Sequence, residues 1–304
     1  MTECEKLLEC GFLPASFFEE EVNSGFLVTT ERKKIWAVEL DLLMRFIAVC
    51  EKYNLRYFLI GGSLLGAVRH KGIIPWDDDI DVGMPRRDYD RFLELGNEFE
   101  YPYFLQTPHT DPGYAYSFAK LRNSETTCVV PMFKYQSFNQ GIFLDIFPYE
   151  NWDQEKGKYL YDRIHKLAYD NSTYMRLTNP DLDARNKERV RNWPGRDYVD
   201  VYDEIQQLAR SFENEDTRKI AKVVFSFSLP QEVHDMEAYQ ETITAVFNGF
   251  SVKIPKGYDH ILNTYYGPNY MDFPPLEKRN GGHDTAIFDP DRGFKQFLDQ
   301  SLSY

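Results

Sequence analysis

The sequence predicts a mixed α/β fold of the α+β kind, and three observations predict it. Apolar residues make up 42% and charged residues 27% of 304 positions, which is enough to bury a core and excludes wholesale disorder. In the first half, short apolar or alternating runs interleave with stretches of helical period. After Asn151 the chain turns richly charged and helical in pattern, and from Pro255 it becomes rich in Gly, Pro and aromatic residues.

Each element follows from its residues. Positions 1–30 read as a peripheral segment, where Ser16-Phe17-Phe18-Glu19 fits either a capping box opening a short helix or an ordinary polar loop. From Glu31 to Tyr53, Ile35, Leu42, Phe46, Val49 and Tyr53 recur at steps of three, four or seven, which predicts a helix. Tyr57-Phe58-Leu59-Ile60 predicts a buried strand stopped by Gly61-Gly62. Ser63 to Arg69 predicts a helix, and Pro75 breaks the loop that follows. Ile80, Val82 and Met84 alternate with Asp79, Asp81 and Gly83, the period of a strand. Arg87 to Phe99 is helical, with Phe92, Leu93 and Phe99 inward, and Tyr116–Leu121 and Gly141–Pro148 predict further strands. Residues 31–150 therefore form the expected catalytic core, 151–254 a mostly helical lobe, and 255–304 a loop-rich segment closing over the site. Phe225–Leu229 and Phe247–Ile254 are expected to return to the core. No internal repeat appears.

Charge narrows the function. Lys and Arg number 35 against 48 Asp and Glu, a net charge of −13. That balance argues against a nucleic-acid partner, whose phosphates are gripped by Lys and Arg. No run of ~18 apolar residues predicts a transmembrane segment. The first residues lack the pattern of a signal peptide. Cys4, Cys10, Cys50 and Cys128 are scattered and suggest neither a disulfide framework nor a zinc site, so a cytoplasmic setting is expected.

The stretch from Gly61 to Asp81 carries the chemistry. Trp76-Asp77-Asp78-Asp79-Ile80-Asp81 holds four carboxylates within five positions. On a strand, Asp79 and Asp81 share one face while Ile80 and Val82 enter the core. At ~4–5 Å and an effective dielectric of ~20, two such charges repel by roughly 3–4 kcal/mol. Protonation or a bound divalent cation relieves this, and oxygen-only ligands suit Mg2+ or Mn2+ better than Zn2+. Taken alone, an acidic run reads as a solvated loop. Here it lies on a strand pattern and follows Gly61-Gly62-Ser63, a glycine turn at a helix N-terminus that offers N–H groups to phosphate. Arg69, His70 and Lys71 form a basic cluster in between, either a phosphate contact or a surface patch, and His70 reads equally as a packing residue. Asp145 sits in an apolar strand, where burial is costly unless it binds something. It completes a metal site, acts as general base toward a hydroxyl, or pairs with a lysine or a backbone N–H. Lys120 and Arg122, on the neighbouring strand, serve any of these readings.

A Gly-Ser turn, an Asp-x-Asp strand and a distant strand-borne Asp resemble the nucleotidyltransferase fold. The wording of Gly61 to Gly72, followed by Ile74-Pro75-Trp76-Asp77-Asp78-Asp79-Ile80-Asp81-Val82, is similar to the LicD family. These are phosphotransferases named for phosphorylcholine addition to bacterial surface polymers, similar to the fukutin-type phosphoribitol transferases. Asp145-Ile146-Phe147-Pro148 resembles the family's second acidic strand. Tyr266-Gly267, Tyr270-Met271, Pro274-Pro275 and Lys278-Arg279 resemble its C-terminal signature. The resemblance spans about Tyr57 to His283, but 153–230 matches no signature.

The resemblance implies a nucleotidyltransferase-like mixed sheet flanked by helices. It implies Mg2+ (or Mn2+) held by Asp79 and Asp81 with help from Asp145, these three being the catalytic acids. The implied donor is a CDP-alcohol, CDP-choline favoured, and the acceptor a hydroxyl of a cell-surface glycan or lipid-linked glycan, with CMP leaving. Gly62 and Ser63 are expected at the phosphate that leaves, and Arg69, Lys71 and His70 beside the diphosphate. Lys278, Arg279 and His283 either reach donor phosphates or brace a lid. Choline recognition needs aromatic faces, for which Trp152, Tyr101, Tyr103, Tyr114 and Tyr116 are available, though packing is the simpler role of each. A lipid-linked acceptor leaves room for peripheral contact with the inner membrane face, although the sequence shows no clear basic amphipathic helix. Two alternatives remain: a conventional nucleotidyltransferase releasing pyrophosphate, and a non-catalytic glycan-binding relative.

Overall fold

The computed structural model describes residues 3–301 except 154, 212–216, 226–227, 282 and 284–285. Helix α1 (Thr30–Lys52) starts where Thr29 Oγ1 accepts from Arg32 N at 3.3 Å, a side-chain N-cap. Its apolar positions Leu40, Leu43, Phe46, Ile47 and Cys50 are buried, as their period requires. Strand β1 (Phe58–Leu59) leads directly into helix α2 (Gly61–Arg69). Then follow β2 (Asp81–Pro85), helix α3 (Arg86–Leu93), β3 (Tyr103–Gln106), β4 (Ala119–Asn123) and the long β5 (Ile142–Trp152).

Strand β5 organises the main sheet. It runs parallel to β2, antiparallel to β4, and its last residues pair antiparallel with β6 (Lys219–Ala221), which in turn pairs with β7 (Val233–Asp235). Strand β1 lies on the far side of β2, and β3 on the far side of β4. Val82, Met84, Leu121, Leu144 and Ile146 have no exposed surface, and α1 packs against β4 and β5. Alternate residues therefore face the other way: Asp81 on β2, Lys120 on β4, and Asp145 and Phe147 on β5.

After β5 come helices α4 (Gly157–Thr173), α5 (Ala184–Arg191) and α6 (Tyr198–Arg210). A second apolar cluster of Tyr114, Ala115, Phe133, Phe138 and Met175 packs against Tyr198 of α6. Strands resume beyond Arg210. Besides β6 and β7, a hairpin of β8 (Thr242–Phe247) and β9 (Phe250–Pro255) sends Phe247, Val252 and Ile254 into the main core. In 151–254 the three longer helices thus come first, and strands with two four-residue helices, Leu229–Glu232 and Glu237–Gln240, follow.

Other elements also differ from expectation. Residues 15–18 form a 3-10 turn after Pro14, with no side-chain cap from Ser16. Helix α3 stops at Leu93 and a 3-10 turn at Gly96–Glu98 replaces its end. The tail is not all loop: α7 (Tyr258–Tyr266) forms because no Pro or Gly interrupts it and Ile261 and Leu262 anchor it in the core. Ser226 and Phe227, within the apolar stretch expected to return to the core, lie outside the described residues, as does the side chain of Cys4. Cys10, Cys50 and Cys128 are free thiols. Among the described residues, no helix is long and apolar enough to cross a membrane.

Candidate active site

The sheet register brings the acids together. Asp145 on β5 stands opposite Asp81 on β2 and opposite Lys120 on β4, so the three side chains form one row on one face. Lys120 Nζ donates to Asp145 Oδ1, and both residues are buried. Asp77, Asp78 and Asp79 lie in the extended segment that feeds β2, with Ile80 O accepting from Asp145 N at 3.1 Å.

The turn into α2 abuts this row. Gly61 has φ +51°, a conformation that a side chain would strain, and an added Cβ would lie 3.7 Å from Asp81 Oδ2. A Cβ on Gly62 would approach Asp77 Oδ2 to 2.8 Å, closer than packing allows. Leu64 N is bonded to Ile60 O at 3.0 Å, while the N–H groups of the three preceding residues have no intrahelical acceptor. These donors and the helix dipole favour an anion at the turn. Ser63 Oγ does not point that way: it accepts from Asp81 N at 2.8 Å and fixes the start of the strand.

Crowding shows in the protonation of the acids. Burial, with Asp78 and Asp81 nearby, pushes Asp77 up to about 7. Burial, Asp77 and Asp145 push Asp79 up to about 8, against the opposing pull of His283. Burial, Asp79 and Asp145 raise Asp81 well above the carboxylate range, although Lys222 and Lys120 pull it down. Behind them, Glu39 on α1 is buried with an unpartnered Oε2, and burial and Asp79 raise it too.

The far tail supplies a cation. Asp78 accepts from His283 N at 3.0 Å and meets His283 Nδ1 at 3.2 Å, while Asp79 lies 3.8 Å from the same nitrogen. Burial disfavours the charged imidazole, but the bond to Asp78 and the charge of Asp79 prevail and raise His283. Asp78, Asp79 and His283 present ligand-type atoms within 4.8 Å of one another, a group of metal-ligand type among the described residues. Sequence reasoning assigned no role to Asp78, because its partner lies 205 positions away. Lys222 was also missed. It sits over the Phe147 ring at 4.8 Å, pairs with Glu232 at 3.5 Å, and acts on Asp81.

Other basic candidates are engaged elsewhere. Arg69 Nη1 donates to the carbonyls of Tyr270 and Asp272 at 2.9 and 3.0 Å. Arg279 donates to the carbonyls of Pro274 and Ser24. Both guanidiniums lie over Trp76 and Phe273, and His70 stacks on Phe273. Together they brace the C-terminal segment against α2. Lys71 Nζ bonds Val68 O at 3.1 Å, and Lys278 is exposed. Arg122 is buried and ties Gln106 to Gly141 O. Trp152, Tyr103 and Tyr114 serve packing: Gly157 lies against the Trp152 ring, Tyr103 bonds Asp41 and Tyr114 is wholly buried. Tyr101 is 72% exposed, and Tyr116 lines a cavity beyond His283.

Comparison with known proteins points one way. Residues 54–180 match the family described as LicD/FKTN/FKRP, nucleotidyltransferase domain. The lipopolysaccharide cholinephosphotransferase LicD of Haemophilus influenzae is 28% identical over 256 residues, covering 80% of this chain and 92% of that protein. The human ribitol 5-phosphate transferase FKRP is 55% identical over 42 residues, 14% of this chain and 8% of FKRP. An uncharacterised Rickettsia prowazekii protein is 33% identical over 96 residues, 31% of this chain and 32% of that one.

Proposed function

We propose, from the match of residues 54–180 to the LicD/FKTN/FKRP nucleotidyltransferase domain and the similarity to a lipopolysaccharide cholinephosphotransferase, that this protein is a phosphotransferase acting on a cell-surface glycan or its lipid-linked precursor. The donor in this reading is a CDP-alcohol, CDP-choline first, and the product besides the modified glycan is CMP. One observation carries it: the acid row of Asp81 and Asp145, flanked by Asp77 and Asp79, lies against the glycine turn of α2. The turn offers its free N–H groups to a phosphate beside the carboxylates.

In this reading the ion is Mg2+ or Mn2+, supported by the chemistry of the oxygen donors, although the group whose ligand atoms lie within 4.8 Å of one another among the described residues is Asp78, Asp79 and His283. Asp79, Asp81 and Asp145 offer only oxygen, and the upward-shifted Asp79 and Asp81 mark charge that the protein alone leaves unbalanced. A bound ion would neutralise diphosphate charge and orient the donor. The protein's own groups do the rest. The N–H groups of Gly62 and Ser63 hold the phosphate of the departing CMP. The acceptor oxygen attacks the phosphorus that bears the alcohol. Its new P–O bond forms as the anhydride P–O bond breaks, and the electron pair leaves on CMP. Lys120 holds one oxygen of Asp145, and the other either binds the ion or takes the hydroxyl proton. Arg69 and Arg279 keep the C-terminal segment in place over α2.

The test is product analysis with CDP-choline, CDP-ethanolamine, CDP-glycerol and CDP-ribitol, with and without Mg2+. CMP released in a metal-dependent reaction supports the proposal. Asp79→Asn or Asp81→Asn is expected to lower turnover by about 10²-fold or more. Pyrophosphate released from a nucleoside triphosphate, or near-normal metal-dependent turnover in either variant, overturns it.

A further inference from the structure

Beyond His283 a cavity of about 560 Å3 opens between α4, α5, the approach to β4 and the tail. Its walls hold three arginines, Arg176, Arg185 and Arg189, and the aromatic rings of Tyr116, Tyr169 and Phe225. In a chain of net charge −13, such a concentration of unpaired positive charge calls for an occupant.

The arginines are propped by neutral groups. Arg189 Nε bonds Thr173 Oγ1 and its Nη2 bonds Ser172 Oγ, both at 2.6 Å, and the guanidinium lies 3.6 Å from the Tyr169 ring centroid. Arg176 is only 7% exposed, and bonds Ser172 O at 2.5 Å and Asn186 Oδ1 at 3.1 Å. Arg185 is exposed and makes no side-chain hydrogen bond or ion pair among the described residues. None of the three forms an ion pair among the described residues. The nearby carboxylates are committed: Asp170 to Lys166 at 2.7 Å, and Asp183 to Asn186 N at 2.7 Å as the cap of α5. Burial and the neighbouring Arg176 push Arg189 down to about 10, the mark of an uncompensated cation. The fork of Arg189 leaves Nη1 without a protein partner among the described residues, a donor suited to a planar or tetrahedral anion.

The aromatic wall is shaped as well. Phe225 holds φ +54°, an unfavourable conformation for a non-glycine residue, and keeps its ring 41% exposed at the cavity. Its volume lies within the range of small-molecule sites. Aromatic faces alone would suit a quaternary ammonium, but three guanidiniums repel one, so the choline of a donor does not belong here.

We infer that this cavity is the acceptor subsite, and that it takes a saccharide bearing a phosphate or carboxylate, its anion on Arg176, Arg185 and Arg189 and its ring against Tyr116 and Phe225. This rests on the transferase reading in one respect, the assignment to the acceptor. The glycine turn faces Asp77 and Asp81, whereas the cavity opens at His283, which contacts Asp78 and Asp79. Acceptor and leaving group lie on different sides of the phosphorus in an in-line transfer. With the donor's phosphates at the turn, the arginine cavity is the open approach for the acceptor.

The experiment is calorimetry on the whole protein with glucose 6-phosphate, glucuronate, glucose and CMP as probes. The two anionic sugars are expected to bind at least 10-fold tighter than glucose. Arg185→Gln and Arg189→Gln are expected to weaken them at least 5-fold while CMP binding stays the same. The Arg185 side chain makes no hydrogen bond or ion pair among the described residues, so its variant reports on binding even if Arg189→Gln fails to fold. Equal binding of glucose and glucose 6-phosphate overturns the inference. So does loss of CMP binding, with sugar phosphate binding unchanged, in the arginine variants, because the cavity then belongs to the donor. If no CDP-alcohol releases CMP while arginine-dependent sugar-phosphate binding persists, the anion site stands and the transferase reading falls.

Discussion

Replacing Asp81 by Asn should stabilise the metal-free protein while abolishing its response to Mg2+. Asp81 and Asp145 are register partners on adjacent parallel strands, and such strands lie ~4.8 Å apart. At an effective dielectric of ~20, two full charges at that spacing repel by roughly 3.5 kcal/mol. The net gain is smaller. Lys120 already offsets part of the Asp145 charge, Asp81 lowers its own share by holding a proton, and the variant forgoes attraction to Lys222 and Lys120. About 1–2 kcal/mol remains, a rise in Tm of roughly 2–6 °C for a chain of this size. The amide is isosteric, and the bond from residue 81 N to Ser63 Oγ is retained because it uses the backbone. The assay is thermal unfolding at pH 8, in EDTA and then in millimolar Mg2+. The wild type should gain stability on adding Mg2+, and the variant should start higher and gain little. A variant that unfolds earlier than the wild type in EDTA, or that responds to Mg2+ as the wild type does, refutes the argument that unbalanced carboxylate charge is stored in this row.

Three further outcomes are expected. Gly62→Ala puts a methyl 2.8 Å from Asp77 Oδ2 and forces that carboxylate to shift, so CMP release should fall at least 10-fold, yet Tm should hold because Ala suits a helix better than Gly. Glu150→Ala removes the buried partner of Arg86, whose Nε bonds both Glu150 oxygens at 3.0 and 2.9 Å, and leaves it Asp90 at 3.0 Å and Gln206 at 2.9 Å. Urea denaturation should show a loss of about 2–3 kcal/mol, with activity per folded molecule preserved. Asp41 is raised by burial although Tyr103 and Arg45 bond it, so in its folded form it holds a proton more tightly than in the unfolded chain. Its contribution therefore weakens stability as pH rises from about 4 toward neutrality, and the stability gap of Asp41→Asn over the wild type should widen across that interval and close below it, measured by denaturation at pH 4 and pH 7.

What could be read from the sequence was what neighbours in the chain decide. The strand at Asp81–Pro85 and most of the strand at Ile142–Trp152 follow from alternating or continuous apolar residues, α1 follows from its period, and α2 from the glycine turn before it. That Asp81 and Asp145 share a face also follows from period two, once the strands are paired. Less legible was where long side chains end. Arg69 and Lys71 stand beside the motif in sequence, but a guanidinium travels several bonds from its backbone, and the carbonyls of Tyr270 and Asp272 capture Arg69. The same holds for Arg279, drawn to Ser24 O, and for Asp78, whose partner arrives with the tail. Helix α7 was hidden because the Gly and Pro around it set the composition of the whole segment, although its own nine residues contain neither.

The arginine cavity could not have been read at all, and the reason bears on how the site works. Its lining comes from the approach to β4, from α4, from α5 and from the tail, and no short stretch of chain holds two of its arginines beside one of its exposed aromatic rings. An acidic chain that handles phosphates needs positive charge near its acids, yet fixed cations inside the acid row would pair with the carboxylates, as Lys120 does with Asp145. Separating the two resolves the conflict. The carboxylates are gathered on the sheet against the glycine turn, the guanidiniums in the helices beyond, and His283 bridges the two by touching Asp78 and lining the cavity. Opposite charges held apart by the fold cannot cancel each other, so each remains available to a ligand, and a substrate that carries an anion at one end is oriented before any chemistry begins.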